Sequence, residues 1–231
     1  MRNVKFNGRL AGMSYLLIIV CGIFSHLIVR ASVVDFGDAV KTSQNILENS
    51  SMFRLSTLSD FIMVLSFLMA GILLYSLLKS TNIVVARIML ALNIVGTSMM
   101  AVNMLNQQAA IMILENNTLL SVFDANQVQS LSLFFMRLHS YGYKFATISF
   151  GVWLLPMGYL IVKSGLVPKI IGYLLIVGSV TYIISFVSTI LGVSVSSDIT
   201  IPADLGEFSL CLYLLIVGVS KNYSGLIQQE Q

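Results

Sequence analysis

The sequence predicts an all-α polytopic membrane protein, a bundle of six transmembrane helices with both termini on the cytoplasmic side. Three observations carry that reading: a composition poor in charge, six apolar stretches of spanning length, and an uneven sorting of cations between the segments that join them. Of 231 residues, 57% are hydrophobic and 10% are charged, against about 25% charged in a soluble domain. So few charges cannot keep a soluble surface wet, which makes the lipid bilayer the first partner. The formal net charge of +3 is small and points away from nucleic acid. Cys21 and Cys211 both lie in apolar runs and are expected as buried thiols rather than a disulfide or metal pair.

A helical span needs about 20 apolar residues. The first stretch, 10–29, lies between Arg9 and Arg30. It is longer than the hydrophobic part of a signal peptide, about 7–15 residues, and reads as an uncleaved helix. Gly8 and Gly12 at its start have the spacing of close helix contacts. The second, 55–78, ends at Lys79, and the third, 88–114, runs from Arg87 to Glu115. The fourth, 130–162, precedes Lys163. Pro168 opens the fifth, 170–191, and Pro202 precedes the sixth, 205–220, which Lys221 closes. Proline suits a helix start because its missing N–H is not needed there. Residues 1–231 are therefore expected to form a single membrane domain. Its longest loop, 30–54, carries Val40, Ile46 and Leu47 at the spacing of a short interfacial helix.

With the N-terminus inside, Arg2, Lys5, Arg9, Lys79, Arg87, Lys163, Lys169 and Lys221 all fall on the cytoplasmic side. The outer side holds Arg30, Lys41 and Arg54 together with most of the acids. Cations are retained inside during insertion, so an even number of spans and an N-in, C-in topology follow.

The polar residues within the spans are the candidate site. A helix rises about 1.5 Å per residue. Measured from the cytoplasmic cations, Asp60 and Lys144 lie roughly 28 Å up, Asn103 and Gln107 roughly 24 and 30 Å, His26 roughly 25 Å, His139 roughly 36 Å and Glu207 roughly 21 Å. Different spans thus bring hydrophilic groups toward the outer half of the bilayer. Ser56, Thr57, Asp60, Phe67 and Gly71 share one arc of the second span, and Asn93, Thr97, Met104 and Gln107 share one of the third. On the fourth, Arg137, Tyr141 and Lys144 share a face, with His139 and Tyr143 roughly opposite.

Two roles compete for these residues. Asp60 with Arg137 or Lys144 reads as a structural ion pair joining two spans. Asp60, Asn103, Gln107, His139, Lys144 and Glu207 together read as the outward-facing pocket of a binding- or transport-type protein, taking a small polar or amphipathic molecule or an ion. Asp60 is its charged anchor, the amides orient the ligand, and His139 is a group titrating near neutral pH. An accessory membrane protein with a purely structural polar belt is the alternative, and His26 with His139 as axial haem ligands, or a membrane enzyme, a further one. No CxxC, HExxH, GxSxG or Walker sequence occurs, so no catalytic residue, metal site or cofactor is assigned.

The stretches "GRLAGMSYLLIIVCGIFSHLIVR", "MFRLSTLSDF", "LHSYGYKFATISFG" and "GYLIVKSGLVPKIIGYLLIVGSVTYII" resemble a bacterial family of multi-pass proteins, the DUF4386 domain of unknown function. The His-Ser-x-Gly-Tyr at His139 and the Ser-Gly-x-x-Pro-x-x-x-Gly from Ser164 to Gly172 are the most specific parts. The resemblance implies a protein of the bacterial cytoplasmic membrane. It brings no activity, cofactor or site residue, and Lys144 stands where an apolar residue would be unsurprising.

Overall fold

A computed structural model of the chain describes residues 2–115, 122–193 and 195–220, and these are helical with short connections and no strand. Lys221, expected to close the last span, lies outside the described residues. The order is α1 (Arg2–Gly22), α2 (Ala31–Val33), α3 (Ala39–Glu48), α4 (Ser50–Leu78), α5 (Ile83–Glu115), α6 (Ala125–Ser164), α7 (Lys169–Leu191) and α8 (Ile201–Ile216). Between α1 and α2 the helix continues without interruption but widens to π geometry over Ile23–Arg30. Six helical stretches are long and apolar enough to cross a membrane: Val4–Val33, Ser50–Leu78, Ile83–Glu115, Ala125–Ser164, Lys169–Leu191 and Asp198–Ile216. Helices suit lipid because every backbone group pairs within its own segment.

The helices run past the limits that the charges suggested. The first continues through Arg30 to Val33, and the second begins at Ser50, ahead of Arg54. A charged residue ends a span only when its side chain must reach water. Arg30 is buried against a carboxylate, and Arg54 bonds Glu115 at 2.5 Å on an exposed surface. The last helix stops earlier than 220, at Ile216, where Gly218 takes a left-handed φ of 82°.

The chain divides into two compact units. Among the described residues, one unit falls within 1–16, 66–97 and 145–231, the other within 17–65 and 98–144. In the first unit, Gly8 and Gly12 let α1 approach the end of the chain closely. A Cβ on Gly8 would lie 2.8 Å from the backbone of Gly218, and one on Gly12 2.5 Å from the amide nitrogen of Leu215. The Cys211 thiol sits 3.6 Å from the carbonyl of Gly12. Gly71 faces the Asn93 carboxamide, which donates to the Phe67 carbonyl at 3.1 Å. An aromatic group of Phe67, Phe150 and Trp153 packs beside them, Phe67 and Phe150 stacked at 4.2 Å.

In the second unit, a buried apolar cluster of Val29, Val33, Ile46, Phe53, Ile111 and Met136 draws on the first span and helices α3 to α6. Ile46 of α3 is fully buried, together with Thr42 and Ser43, whereas Val40 and Leu47, expected beside Ile46 on one apolar face, are exposed. Asp38 caps α3, its carboxylate accepting from the Lys41 amide at 2.9 Å.

Candidate functional site

The second unit holds a polar network built around one arginine. The π segment ends on Arg30, and π geometry often marks a functional position in a helix. Arg30 Nη1 donates to Asp60 Oδ2 at 2.5 Å and to Gln107 Oε1 at 2.8 Å. Arg30 Nη2 donates to Asp60 Oδ1 and to Ser25 Oγ, each at 3.2 Å. Gln107 Nε2 in turn donates to Ser56 Oγ at 2.8 Å and Thr57 Oγ1 at 3.0 Å. Asp60 and Gln107 are 3% and 0% exposed. A forked, charge-assisted pair of this kind is among the stronger hydrogen-bonding arrangements. With the amide satisfied at both ends, the desolvation of the two charges is offset by bonds on every side.

Part of the arcs read from spacing meets here: Ser56 and Thr57 on α4 accept from Gln107 on α5, and Asp60 and Gln107 share Arg30. The partner of Asp60 is different from the one expected. Neither Arg137 nor Lys144 reaches it. Arg137 Nη2 donates to the carbonyl of Phe36, and Lys144 Nζ lies 5.5 Å from the centre of the Tyr141 ring. Both cations are exposed, where an ion pair gains little, whereas Arg30 could be buried only beside a carboxylate.

Next to this network lies a cavity of about 260 Å³. His26, Arg30, His139, Ser140, Tyr143 and Lys144 supply its polar wall, and Ala31, Val34, Phe36 and Met136 its apolar one. The expected faces of the fourth span are corrected here. Lys144 lines the same cavity as His139 and Tyr143, because Met136, Ser140, Tyr143 and Lys144 form an i, i+4, i+7, i+8 stripe. Tyr141 and Arg137 are not among its lining residues. The rings of His26 and Tyr143 are in contact, with centroids 4.2 Å apart and a 57° tilt.

Asn103 orients His139. Its Nδ2 donates to the His139 carbonyl at 2.9 Å, and its side-chain oxygen accepts from Asn106 at 3.0 Å. The backbone carbonyl of Asn103 lies 3.3 Å from His139 Nδ1. The Asn103 Nδ2 is also 3.5 Å from that nitrogen, a longer contact than that of the backbone carbonyl, which can only accept. The ring proton therefore belongs on Nδ1, and Nε2 keeps its lone pair on the opposite edge of the ring. The Nε2 atoms of His26 and of His139 are buried and have no hydrogen-bond partner among the described residues. Gly142 makes the approach of Asn103 possible, since a Cβ there would overlap its carboxamide.

The turn after the first span supplies Val34 and Phe36. Asp35 organises it: its amide donates to Thr42 Oγ1 at 2.9 Å, Thr42 Oγ1 donates to its carbonyl at 2.8 Å, and its carboxylate accepts from Gly37 N and Lys41 Nζ, each at 3.0 Å. The hydrogen bond from Lys41, then that from Gly37, hold the Asp35 carboxyl below its ordinary value.

Of the candidate residues, Asp60, Asn103, Gln107, His139 and Lys144 belong to this unit, and Glu207, half-buried on α8, belongs to the other. Only His139 and Lys144 of the six line the cavity; Asp60, Gln107 and Asn103 stand behind its wall. Arg30, Ser140 and Tyr143 lie outside the six candidates. Charge sorting places Arg30 on the outer side, beyond the end of the first span, although the Ala31–Val34 run after it allows the helix to continue. The stripe from Met136 to Lys144 was present in the spacing.

The family described as Domain of unknown function (DUF4386) matches residues 10–218. No curated protein and no solved structure matches the chain.

Proposed function

Because the chain belongs to the DUF4386 family, whose description carries no activity, we propose its function from its own site: it binds a small polar or amphipathic molecule in the cavity beside Arg30. Charge sorting supports an N-in, C-in topology, which turns the segment 34–49 and the cavity next to it toward the extracytoplasmic side of a bacterial cytoplasmic membrane. The observation that carries the reading is the pair of buried, unpartnered Nε2 atoms, on His26 and His139, among the residues that line one cavity. Buried polar atoms are normally satisfied, and two such atoms at one cavity are best explained by a ligand that completes them. In this reading Asp60, Gln107 and Asn103 are positioning residues. They hold Arg30 and His139 in place and do not touch the ligand.

A purely structural belt is the second reading, and the fully bonded Arg30–Asp60–Gln107 network favours it for those three residues. The two histidines separate the readings, because a belt has no use for open nitrogen atoms. Haem absorbance of the purified protein tests the bis-histidine alternative directly. For the binding reading, Ser140→Cys is expressed in cells and treated with a membrane-impermeant methanethiosulfonate. Cys21 and Cys211 are buried free thiols and give the background. Labelling from outside, blocked by prior tryptophan substitution at Ala31, is the expected result. A Ser140→Cys protein that stays unlabelled until detergent unfolds it removes the outward-facing cavity.

A further inference from the structure

The groups around the cavity define the charge of what it holds. The positive charge of Arg30 is matched by Asp60 in the forked pair. Lys144 is different: among the described residues no carboxylate lies within ion-pair reach of it. The cavity wall therefore carries one unmatched positive charge, which disfavours a free cation or an ammonium group and favours a monoanion. Val34, Phe36 and Met136 form an apolar part of the lining. A lining with a charged part and an apolar part fits an amphiphile. The volume of about 260 Å³ is below the range of about 300–1,000 Å³ usual for drug-sized ligands, so the tail is short.

The histidines add a proton to this account. With Nδ1–H held by the Asn103 carbonyl, His139 Nε2 offers a lone pair, and an anion alone would be repelled by it. An acid resolves the mismatch. When a carboxylic acid enters, its O–H bond breaks, the electron pair stays on the carboxylate oxygen, and the proton forms an N–H bond at His139 Nε2. The resulting imidazolium donates through both nitrogens, Nδ1 to the Asn103 carbonyl and Nε2 to the carboxylate. Every other charged or titratable group facing His139 is accounted for. His26 and Arg30 approach from the first span, Asp60 from α4, and Tyr143 and Lys144 lie on α6 itself.

Resting on the binding reading above, we propose that the cavity takes a short-chain monocarboxylic amphiphile together with one proton, the carboxylate lying between Lys144 and His139 and the tail against Val34, Phe36 and Met136. Lys144, which departs from the apolar residue that a membrane helix would usually carry, is then the residue that selects an anion.

The test uses the full chain in nanodiscs of zwitterionic lipid and three probes of one tail length: hexanoate, hexanol and hexylamine. Calorimetric titrations at about pH 8, where histidine is ordinarily neutral, are run in buffers of different ionisation enthalpy. Hexanoate is expected to bind saturably with the uptake of one proton per site, and to weaken about tenfold for each unit of pH above neutrality. Hexanol and hexylamine are expected not to bind. Lys144→Gln, at an exposed position, should keep its fold and weaken hexanoate at least about tenfold, the scale of one lost charge contact of roughly 1.4 kcal/mol. His139→Gln should lose the proton uptake; if that variant fails to fold, the buffer dependence of the wild type still decides. Hexanoate binding without proton uptake, or undiminished in Lys144→Gln, overturns the proposal. So does binding of hexylamine or hexanol in place of hexanoate, and so does a lack of binding by all three. In these last two cases external labelling of Ser140→Cys keeps the binding reading alive, whereas no binding and no labelling remove both.

Discussion

Arg30 and Asp60 meet fork to fork, Nη1 at 2.5 Å and Nη2 at 3.2 Å from the two carboxylate oxygens. They join the first span to the second at a point where each is buried. Breaking such a pair by removing one partner leaves an uncompensated charge, at a cost of about 3–5 kcal/mol. Asp60→Asn keeps the shape and removes only the charge. It is expected to lower the yield of folded protein and its thermal stability in detergent, with Arg30→Met partly restoring the Asp60→Leu variant. Changes at Arg137 or Lys144 should restore nothing. Rescue of Asp60→Asn by either of those two would show that the carboxylate has another partner.

How much of this was legible in the sequence depends on which residues are asked. The six helical spans follow from length and hydropathy, because lipid leaves the backbone few choices. The arcs Ser56–Thr57–Asp60 and Gln107 follow from helical angle alone. The partner of Asp60 does not, since periodicity says which residues share a face and not which helix that face meets. Nor does the burial of Arg30 follow from the pattern. A cation at the end of an apolar run usually reaches water, and only the Asp60 fork and the Gln107 amide make burial tolerable. The π widening before it cannot be read from "IFSHLIVR", because every residue there is compatible with an ordinary helix. The turn of His139 by Asn103 depends on tertiary approach, which the glycine at position 142 hints at without naming the neighbour.

Gly142→Ala tests that approach. The added methyl would overlap the Asn103 carboxamide, so the side chain must swing away and release the His139 carbonyl. Overpacking of this kind costs about 1–3 kcal/mol. The expected result is a modest fall in thermal stability together with a changed ring orientation at His139, seen as a shift of its imidazole resonances in a histidine-labelled sample. Asn103→Ala, which makes room, should restore the stability of Gly142→Ala in part, with the ring still held by the backbone carbonyl of residue 103. Unchanged imidazole resonances in Gly142→Ala would separate Asn103 from the setting of His139.

Gly12 makes a parallel prediction in the other unit. Its Cβ position is 2.5 Å from the Leu215 amide nitrogen and 2.9 Å from the Leu214 carbonyl carbon, and these are backbone atoms that cannot rotate out of the way. Gly12→Leu should therefore separate α1 from α8 and lower the yield of folded protein sharply. Gly22→Leu is the control. There a Cβ meets the flexible end of Met63 at 3.5 Å, ordinary contact distance, so the loss should be much smaller. Equal losses would mean that leucine is resisted for some reason other than backbone approach.

Asp35 sets a local pH dependence. Its carboxyl is held below the ordinary value, first by the hydrogen bond from Lys41 and then by that from Gly37. A group depressed in the folded state contributes stability that is present above its unfolded value, about 3.9, and is lost as the pH falls through its folded value. Asp35 is partly exposed and lies in the turn between helices, so the effect should be confined to its turn and leave the helices intact. Acidification should speed amide exchange at Gly37, whose amide bonds the Asp35 carboxylate, after correction for the intrinsic rate, while amides in α4 and α5 keep their protection. Asp35→Asn should show the faster exchange at neutral pH and no further acid response. A turn that holds its protection in acid, or an Asp35→Asn variant with the wild-type profile, would show that the carboxylate does not hold the segment carrying Phe36 in place.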